Sequence, residues 1–164
     1  MAADMGPAAT LPLPYVVTRR RRELRGTYTL ELEPASGEGG VSPAPGQFNM
    51  LYAFGSGEVP ISVSGLASDG TALVHTIRDV GPVTKALCGL KVGETVGLRG
   101  PFGTSWPVDS IEGNDVVIVA GGLGLAPLRP AIRQVLEHRQ NFGRVVLLYG
   151  TRTPEDILFR AELQ

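Results

Sequence analysis

The chain has 164 residues, 43% hydrophobic and 19% charged, with a formal net charge of −1. That balance supports one good core or two small ones, and near-neutrality argues against nucleic-acid binding or a membrane surface. No apolar run reaches membrane-spanning length or resembles a signal peptide, and the single Cys88 excludes a disulfide framework or a cysteine-built metal site, so a cytoplasmic protein is expected.

Residues 1–14, rich in Ala and Pro, read as a disordered leader, and a first domain is expected over 15–107. Tyr15–Thr18 opens it as a strand, with the run Arg19–Arg22 beside it as a solvated edge or hairpin. Tyr28, Leu30 and Leu32 alternate with polar neighbours, the pattern of a half-buried strand. Pro34–Gly46 is loop-like, Gln47–Phe54 is apolar and aromatic, and Ile61–Ser64, Thr71–Ile77 and Thr95–Arg99 read as strands. Gly81-Pro82 leads into a short helix over Val83–Leu90, and Lys91–Glu94 is a turn. Short strands at this spacing point to a closed six-stranded antiparallel β-barrel.

After Trp106-Pro107 the period changes, and a second domain is expected over 108–164. Val116–Ala120 and Val145–Tyr149 are continuous apolar strands. Pro127–Arg139 carries Leu128, Ile132, Val135 and Leu136 at helical spacing, and Pro154–Leu163 reads as the start of another helix. This order opens a parallel α/β sheet. Two strands are too few for such a sheet, so the segment reads as the first half of a nucleotide-binding domain: either these residues are a fragment or the rest of the sheet is supplied elsewhere.

The chemistry concentrates at VVIVAGGLGLAPLRP, residues 116–130. A buried strand stops at Gly121, Gly122 and Gly124, and Pro127 fits the first turn of the helix that follows. Glycine admits a phosphate close to the backbone, and helix N–H groups supply donors and positive partial charge. The third position of the dinucleotide fingerprint falls on Pro127, so the turn alone leaves nucleotide binding and a plain glycine turn equally open. His75 and His138 lack metal-ligand spacing, Cys88 reads as core, and neither a Ser/His/Asp relay nor a carboxylate pair is evident.

Five spaced motifs resemble the ferredoxin–NADP reductase superfamily: PGQFNMLYAFGSGEVPISVSG (45–65), TIRDVGPVTKAL (76–87), GLRGPFGTSWP (97–107), VAGGLGLAPLRP (119–130) and LLYGTRTPEDILFRAEL (147–163). Within it the chain is most similar to the FAD/NAD(P)-binding gamma subunits of sulfhydrogenases and NiFe hydrogenases. One subunit of anaerobic sulfite reductase and the electron-transfer subunit of dihydroorotate dehydrogenase are close in style. The resemblance implies FAD on the barrel and NAD(P) on the sheet. It also implies a 2Fe-2S cluster in a C-terminal cysteine segment outside these residues or in a partner.

The family's flavin motif, Arg-x-Tyr-Ser/Thr, falls on Val59-Pro60-Ile61-Ser62. By resemblance, the cofactor lies along Pro60, Ile61, Ser62 and Val63, with the Ser62 hydroxyl at flavin N5 as the catalytic group. Val59 replaces the phosphate-binding arginine and Ile61 the aromatic platform. Pyrophosphate contacts are therefore expected from Arg78 and from the helix start at Gly81, Val83 and Thr84, with Ile77 along the adenosine linker. Gly100-Pro101-Phe102-Gly103 resembles the loop that turns the barrel toward the second domain and is read mainly as structural, with Phe102 bordering the flavin as the alternative, and Trp106 is expected to be an interface core residue. Gly121, Gly122, Gly124 and Pro127 would face the nicotinamide dinucleotide, with Gly150, Arg152 and Asp156 near its adenosine ribose; NAD and NADP both remain open.

The implied function is an electron-transfer subunit carrying electrons between NAD(P)H and an iron–sulfur or metal partner subunit, in a hydrogenase-like complex. The alternatives are an oxygenase-type or dihydroorotate dehydrogenase reductase component, and an assembly module that binds no flavin.

Overall fold

The computed structural model describes residues 11–37, 40–67 and 70–163. Residues 1–10 of the expected leader lie outside these, and its last two residues are strand, since the first element begins at Leu13. Six strands close an antiparallel barrel in the order β1-β2-β5-β4-β3-β6: β1 (Leu13–Leu24), β2 (Thr27–Pro34), β3 (Phe48–Ala53), β4 (Gly57–Leu66), β5 (Leu73–Arg78) and β6 (Thr95–Phe102). Alternation sends Tyr15, Val17, Leu30, Leu32, Leu51, Ile77, Val96 and Leu98 into one apolar core. Closure satisfies the edge hydrogen bonds that an open sheet would leave exposed.

The helix α1 (Pro82–Gly89) plugs the barrel with Leu87 and Cys88. Its start is fixed locally: the Thr84 hydroxyl accepts the N–H groups of Val80 and Gly81 and donates to Gly81 O. Burial pushes the Cys88 thiol up to about 11, so it stays protonated and inert. The arginine run is solvated and continues β1 as one arm of the β1–β2 hairpin. Arg19 and Arg21 face solvent and pair with Glu31 and Glu23. Arg20 instead forks onto Cys88 O at 3.0 and 2.9 Å and lies 4.1 Å from the Tyr28 ring centre, tying β1 to the end of α1.

Beyond the barrel, β7 (Val116–Gly121) and β8 (Val145–Gly150) pair in parallel, bridged by α2 (Leu125–Glu137). The helix begins two residues before Pro127 and ends at Glu137 rather than Arg139. Only part of β7 is buried. Val116 and Ala120 face α2, whereas Val117 and Val119 are 61% and 68% exposed.

The second helix expected from Pro154 does not form. Two single 3-10 turns, Pro154–Asp156 and Arg160–Glu162, stand in its place. Between them Phe159 adopts φ 54°, in the left-handed region, which turns Leu158 and Phe159 inward against Ala120, Leu125 and Ala126. The left-handed residue costs about 1–2 kcal/mol, and burying two large apolar side chains contributes roughly 1.5–3 kcal/mol each.

Arg129 joins the two parts. It is buried, donates through Nη1 to Ser64 O at 2.7 Å, and forks through Nε and Nη2 onto Glu162 at 2.8 and 2.6 Å. Its guanidinium also lies 4.7 Å from the Phe159 ring centre. Gly65, at φ 151°, makes this possible, since a Cβ there would sit 2.9 Å from Arg129 Nη1. Beside Ser64 O, the hydroxyls of Thr29, Thr76 and Ser64 hydrogen-bond in a row at 3.0 and 2.9 Å, and Thr29 donates to Glu23. Replacing Arg129 by Ala leaves Ser64 O and Glu162 without this donor. We expect a loss of about 2–3 kcal/mol in urea unfolding, with less than half recovered by Arg129→Lys, which lacks the fork.

Candidate functional site

β4 and β5 pair only between Val63↔His75 and Leu66↔Leu73. Beyond that point they part. Pro60, Ile61 and Ser62 stay on β3, opposite Met50, Asn49 and Phe48, while Thr76, Ile77 and Arg78 stay on β2. The parting opens a cleft of about 420 Å³. Val59, Pro60, Ile61 and Ser62 form one wall, Thr76, Arg78, Val80 and Thr84 the other, and Leu123, Gly124, Ala126 and Pro127, from the glycine turn and the start of α2, close it.

Part of the backbone at the parting is satisfied within the chain. Val63 N–H bonds Gln47 O on the β3 side, so strand alternation points the Ser62 and Pro60 backbone toward the gap. Pro60 has no N–H to leave unpaired. Ser62 O is taken by the His75 ring, whose Nδ1 donates to it at 3.1 Å, while Nε2 accepts from Asn49 Nδ2 at 3.2 Å. His75 and Asn49 are both fully buried. Burial outweighs the backbone contacts and lowers the His75 pKa to about 4, so the ring is neutral at pH 7.

A second, polar cleft of about 850 Å³ lies at the carboxyl ends of β7 and β8. Gly121, Gly122, Gly124, Gly150, Arg152 and Asp156 all line it. Gly121 and Gly150 are paired across the two strands, and a Cβ on any of these four glycines would meet nothing within 4 Å. Their backbone therefore faces open space of the kind a pyrophosphate needs. Tyr149 Oη donates to Gly122 O at 2.9 Å and accepts Leu158 N–H at 3.2 Å, holding the turn against the loop after β8. Arg25, Arg78 and Arg152 line this cleft against Glu155 and Asp156, a surplus of guanidinium suited to phosphate. The two clefts share Arg78, Leu123 and Gly124 in their lining and so adjoin.

Most of the residues singled out in the sequence converge here, with corrections. Val63 turns away, toward Pro130 and Arg133 on α2. Val83 packs on the barrel core, and the Ile77 side chain belongs to that core, so Ile77 only borders the cleft. The Thr84 hydroxyl is committed to the cap at Gly81, which itself does not line the cleft. Pro127 lies on the barrel-side cleft, not on the polar one. Phe102 packs on Phe48, 5.7 Å between ring centres, and does not line the cleft. Trp106 is 48% exposed, resting over Gly46 rather than filling an interface core.

Sequence reasoning missed Leu24, Arg25 and Thr27, which the β1–β2 turn brings to the polar cleft, and the roles of Asn49 and His75 behind Ser62. The Arg25-Gly26 pair was a turn signal. Nothing in the linear pattern aimed it at the glycines.

A closed barrel is thus followed by strand, glycine turn and helix, with two adjoining clefts between them. Residues 118–164 match the family model described as the oxidoreductase NAD-binding domain. The gamma subunit of sulfhydrogenase 2 from Pyrococcus furiosus is 40% identical over 73% of this chain and 41% of its own length. A probable electron-transfer subunit of dihydroorotate dehydrogenase B (NAD(+)) from Methanocella arvoryzae is 39% identical over 70% of this chain and 40% of its own. Among solved structures, phthalate dioxygenase reductase superposes with TM-score 0.80 at 19% identity, over 94% of this chain and 48% of that one. Amycolatopsis cytochrome P450 reductase GcoB gives 0.76 at 28%, over 92% and 46%. The chain belongs to the ferredoxin–NADP reductase superfamily. It spans about two fifths of the length of the curated relatives it matches. Among the described residues no helix is long and apolar enough to cross a membrane.

The buried neutral His75 has a consequence for stability. Its folded pKa of about 4 lies below the ordinary 6.5, so the unfolded chain binds a proton that the folded chain refuses. Stability is lost as pH falls from 6.5 toward 4, by up to about 3 kcal/mol, and this contribution then levels off. Burial opposes it, but Arg129 and Arg133 hold Glu162 below the usual carboxylate range, which adds a further loss in stronger acid. Urea unfolding across pH 4–7 is expected to show the first loss in wild type and not in His75→Gln.

Proposed function

We propose that this chain is the FAD- and NAD(P)H-binding part of an electron-transfer subunit that serves a hydrogenase or sulfhydrogenase complex. On this reading residues 15–107 are the flavin domain and residues 108–164 the nucleotide domain. The contiguity of the two clefts carries the proposal: a ligand in each would meet at Arg78, Leu123 and Gly124. The similarity to sulfhydrogenase gamma subunits supports the choice of complex, and the dihydroorotate dehydrogenase relatives make that enzyme's electron-transfer subunit the second reading.

A flavin held in the barrel-side cleft would supply the exchange between two-electron hydride chemistry and single-electron transfer. The chain's own residues bind, orient and exclude water. Ile61 and Pro60 offer the apolar wall for the ring, and the Ser62 hydroxyl hydrogen-bonds N5. Arg78 and Arg25 supply the phosphate charge that Val59 lacks, since the Thr84 hydroxyl is engaged in its own cap. Gly121, Gly122 and Gly124 receive the nicotinamide dinucleotide's pyrophosphate, with Arg152 and Asp156 beside the adenosine ribose. Alignment of the reacting atoms between barrel and helix is the protein's catalytic contribution. The onward acceptor is a 2Fe-2S cluster or a metal subunit outside these residues.

The purified chain is expected to be yellow or to bind added FAD with quenching of flavin fluorescence. Arg78→Ala should weaken that binding about tenfold, the worth of one charge-assisted contact. A chain that stays colourless and takes up no FAD overturns the proposal in favour of an assembly module. Ser62→Ala in the full-length subunit should keep FAD bound but slow flavin reduction by NADH or NADPH at least tenfold, by stopped-flow absorbance. Co-purification of a metal subunit distinguishes the two candidate complexes.

A further inference from the structure

We propose that His75 is a positioning residue, whose ring gives Ser62 the hydrogen bond a continuous β4–β5 ladder would give, and so lets the strands part while Ser62 stays fixed at the cleft wall. The inference rests on reading that cleft as the flavin site.

A barrel wall has no spare hydrogen bonds. Where two neighbouring strands separate, each backbone group that faced the partner needs another one. The last β4–β5 pair is Val63↔His75, and the next backbone acceptor toward the gap is Ser62 O. The residue that satisfies it is the inward side chain of that last pair, His75, through Nδ1 at 3.1 Å.

The surroundings favour a placed group over an incidental core histidine. Most of the barrel core is Leu, Val, Ile and Ala, and His75 is the one ionisable imidazole among the buried residues described; an aliphatic residue at position 75 would fill the space without desolvating a ring. The tautomer is also set. Asn49, opposite Ile61 on β3, donates Nδ2–H to His75 Nε2 at 3.2 Å, which leaves the proton on Nδ1 for Ser62 O. Asn49 Oδ1 is buried without a hydrogen-bond partner, the cost of aiming the amide this way. Gly100 makes room for it, because a Cβ there would lie 2.2 Å from Asn49 Oδ1. Asn49 on β3 and His75 on β5 thus straddle the Ile61–Ser62 segment from inside the barrel.

The test combines ring spectroscopy with flavin affinity. In wild type, ¹H–¹⁵N NMR of the imidazole should show a neutral ring protonated at Nδ1 from pH 5.5 to 8. A ring protonated at Nε2, or one titrating near its ordinary 6.5, overturns the inference. FAD titrations monitored by fluorescence should show the dissociation constant rising about tenfold in His75→Phe, which has no donor, and staying within about threefold of wild type in His75→Gln, whose amide can donate to Ser62 O. Unfolding midpoints for both variants separate this from general destabilisation. If His75→Phe loses stability yet keeps full FAD affinity, or if the Gln variant fails to restore affinity, His75 is structural and the inference falls while the flavin reading stands. If His75→Phe does not fold, Asn49→Leu replaces it: the ring is kept, its tautomer is released, and a weakening of about threefold is expected against no change if the inference is wrong. Wild type that binds no FAD removes the flavin reading and this inference together.

Discussion

A closed barrel can only be opened by breaking hydrogen bonds between two neighbouring strands, and the rest of this molecule is arranged around one such opening. β4 leaves β5 beyond Val63 and His75, taking Pro60, Ile61 and Ser62 with it. Two of the backbone positions at the parting are dealt with inside the chain: a proline has no N–H to satisfy, and a histidine ring takes the Ser62 carbonyl. The result is a largely apolar slot with Ser62 in the wall that β4 supplies.

The slot matters because of what is docked beside it. Arg129 commits all three of its nitrogens to contacts that cross between elements, one to the barrel at Ser64 and two to Glu162 beyond β8. That single side chain holds the N-terminal part of α2, and with it the glycine turn, against the barrel. Gly65 admits the guanidinium and Phe159 covers its face, so the contact is shaped on both sides. The apolar and polar clefts share Arg78, Leu123 and Gly124.

Charge distinguishes the two adjoining clefts. The barrel side is apolar but for Ser62, Thr76, Thr84 and Arg78, whereas the sheet side gathers Arg25, Arg78 and Arg152 around bare glycine backbone. A ring system fits the first environment and phosphates the second. Arg78 belongs to both, and Val59 stands where the family motif has an arginine. On the proposed reading the phosphate charge comes from β5 and the β1–β2 turn instead of from β4.

Local pattern determined much of this. The alternation in β2, the apolar run of β7, the helix start at Gly81-Pro82 and the glycine turn before α2 each follow from side-chain period and backbone freedom within a dozen residues. So does the motif order that identifies the superfamily. What the sequence by itself did not determine is whatever depends on residues far apart in the chain. The expected helix after Pro154 yielded to burial of Leu158 and Phe159 against α2, a non-local gain larger than the local helical preference. Arg25 reached the glycines only because the barrel closes, and Arg129, one more polar position on an amphipathic helix, became the junction of the fold. His75 looked like an isolated histidine, and its meaning lies in a carbonyl 13 residues away that lost its strand partner. Periodicity reports which face of an element is apolar; only the assembled barrel decides which backbone groups are left wanting, and which side chains are there to meet them.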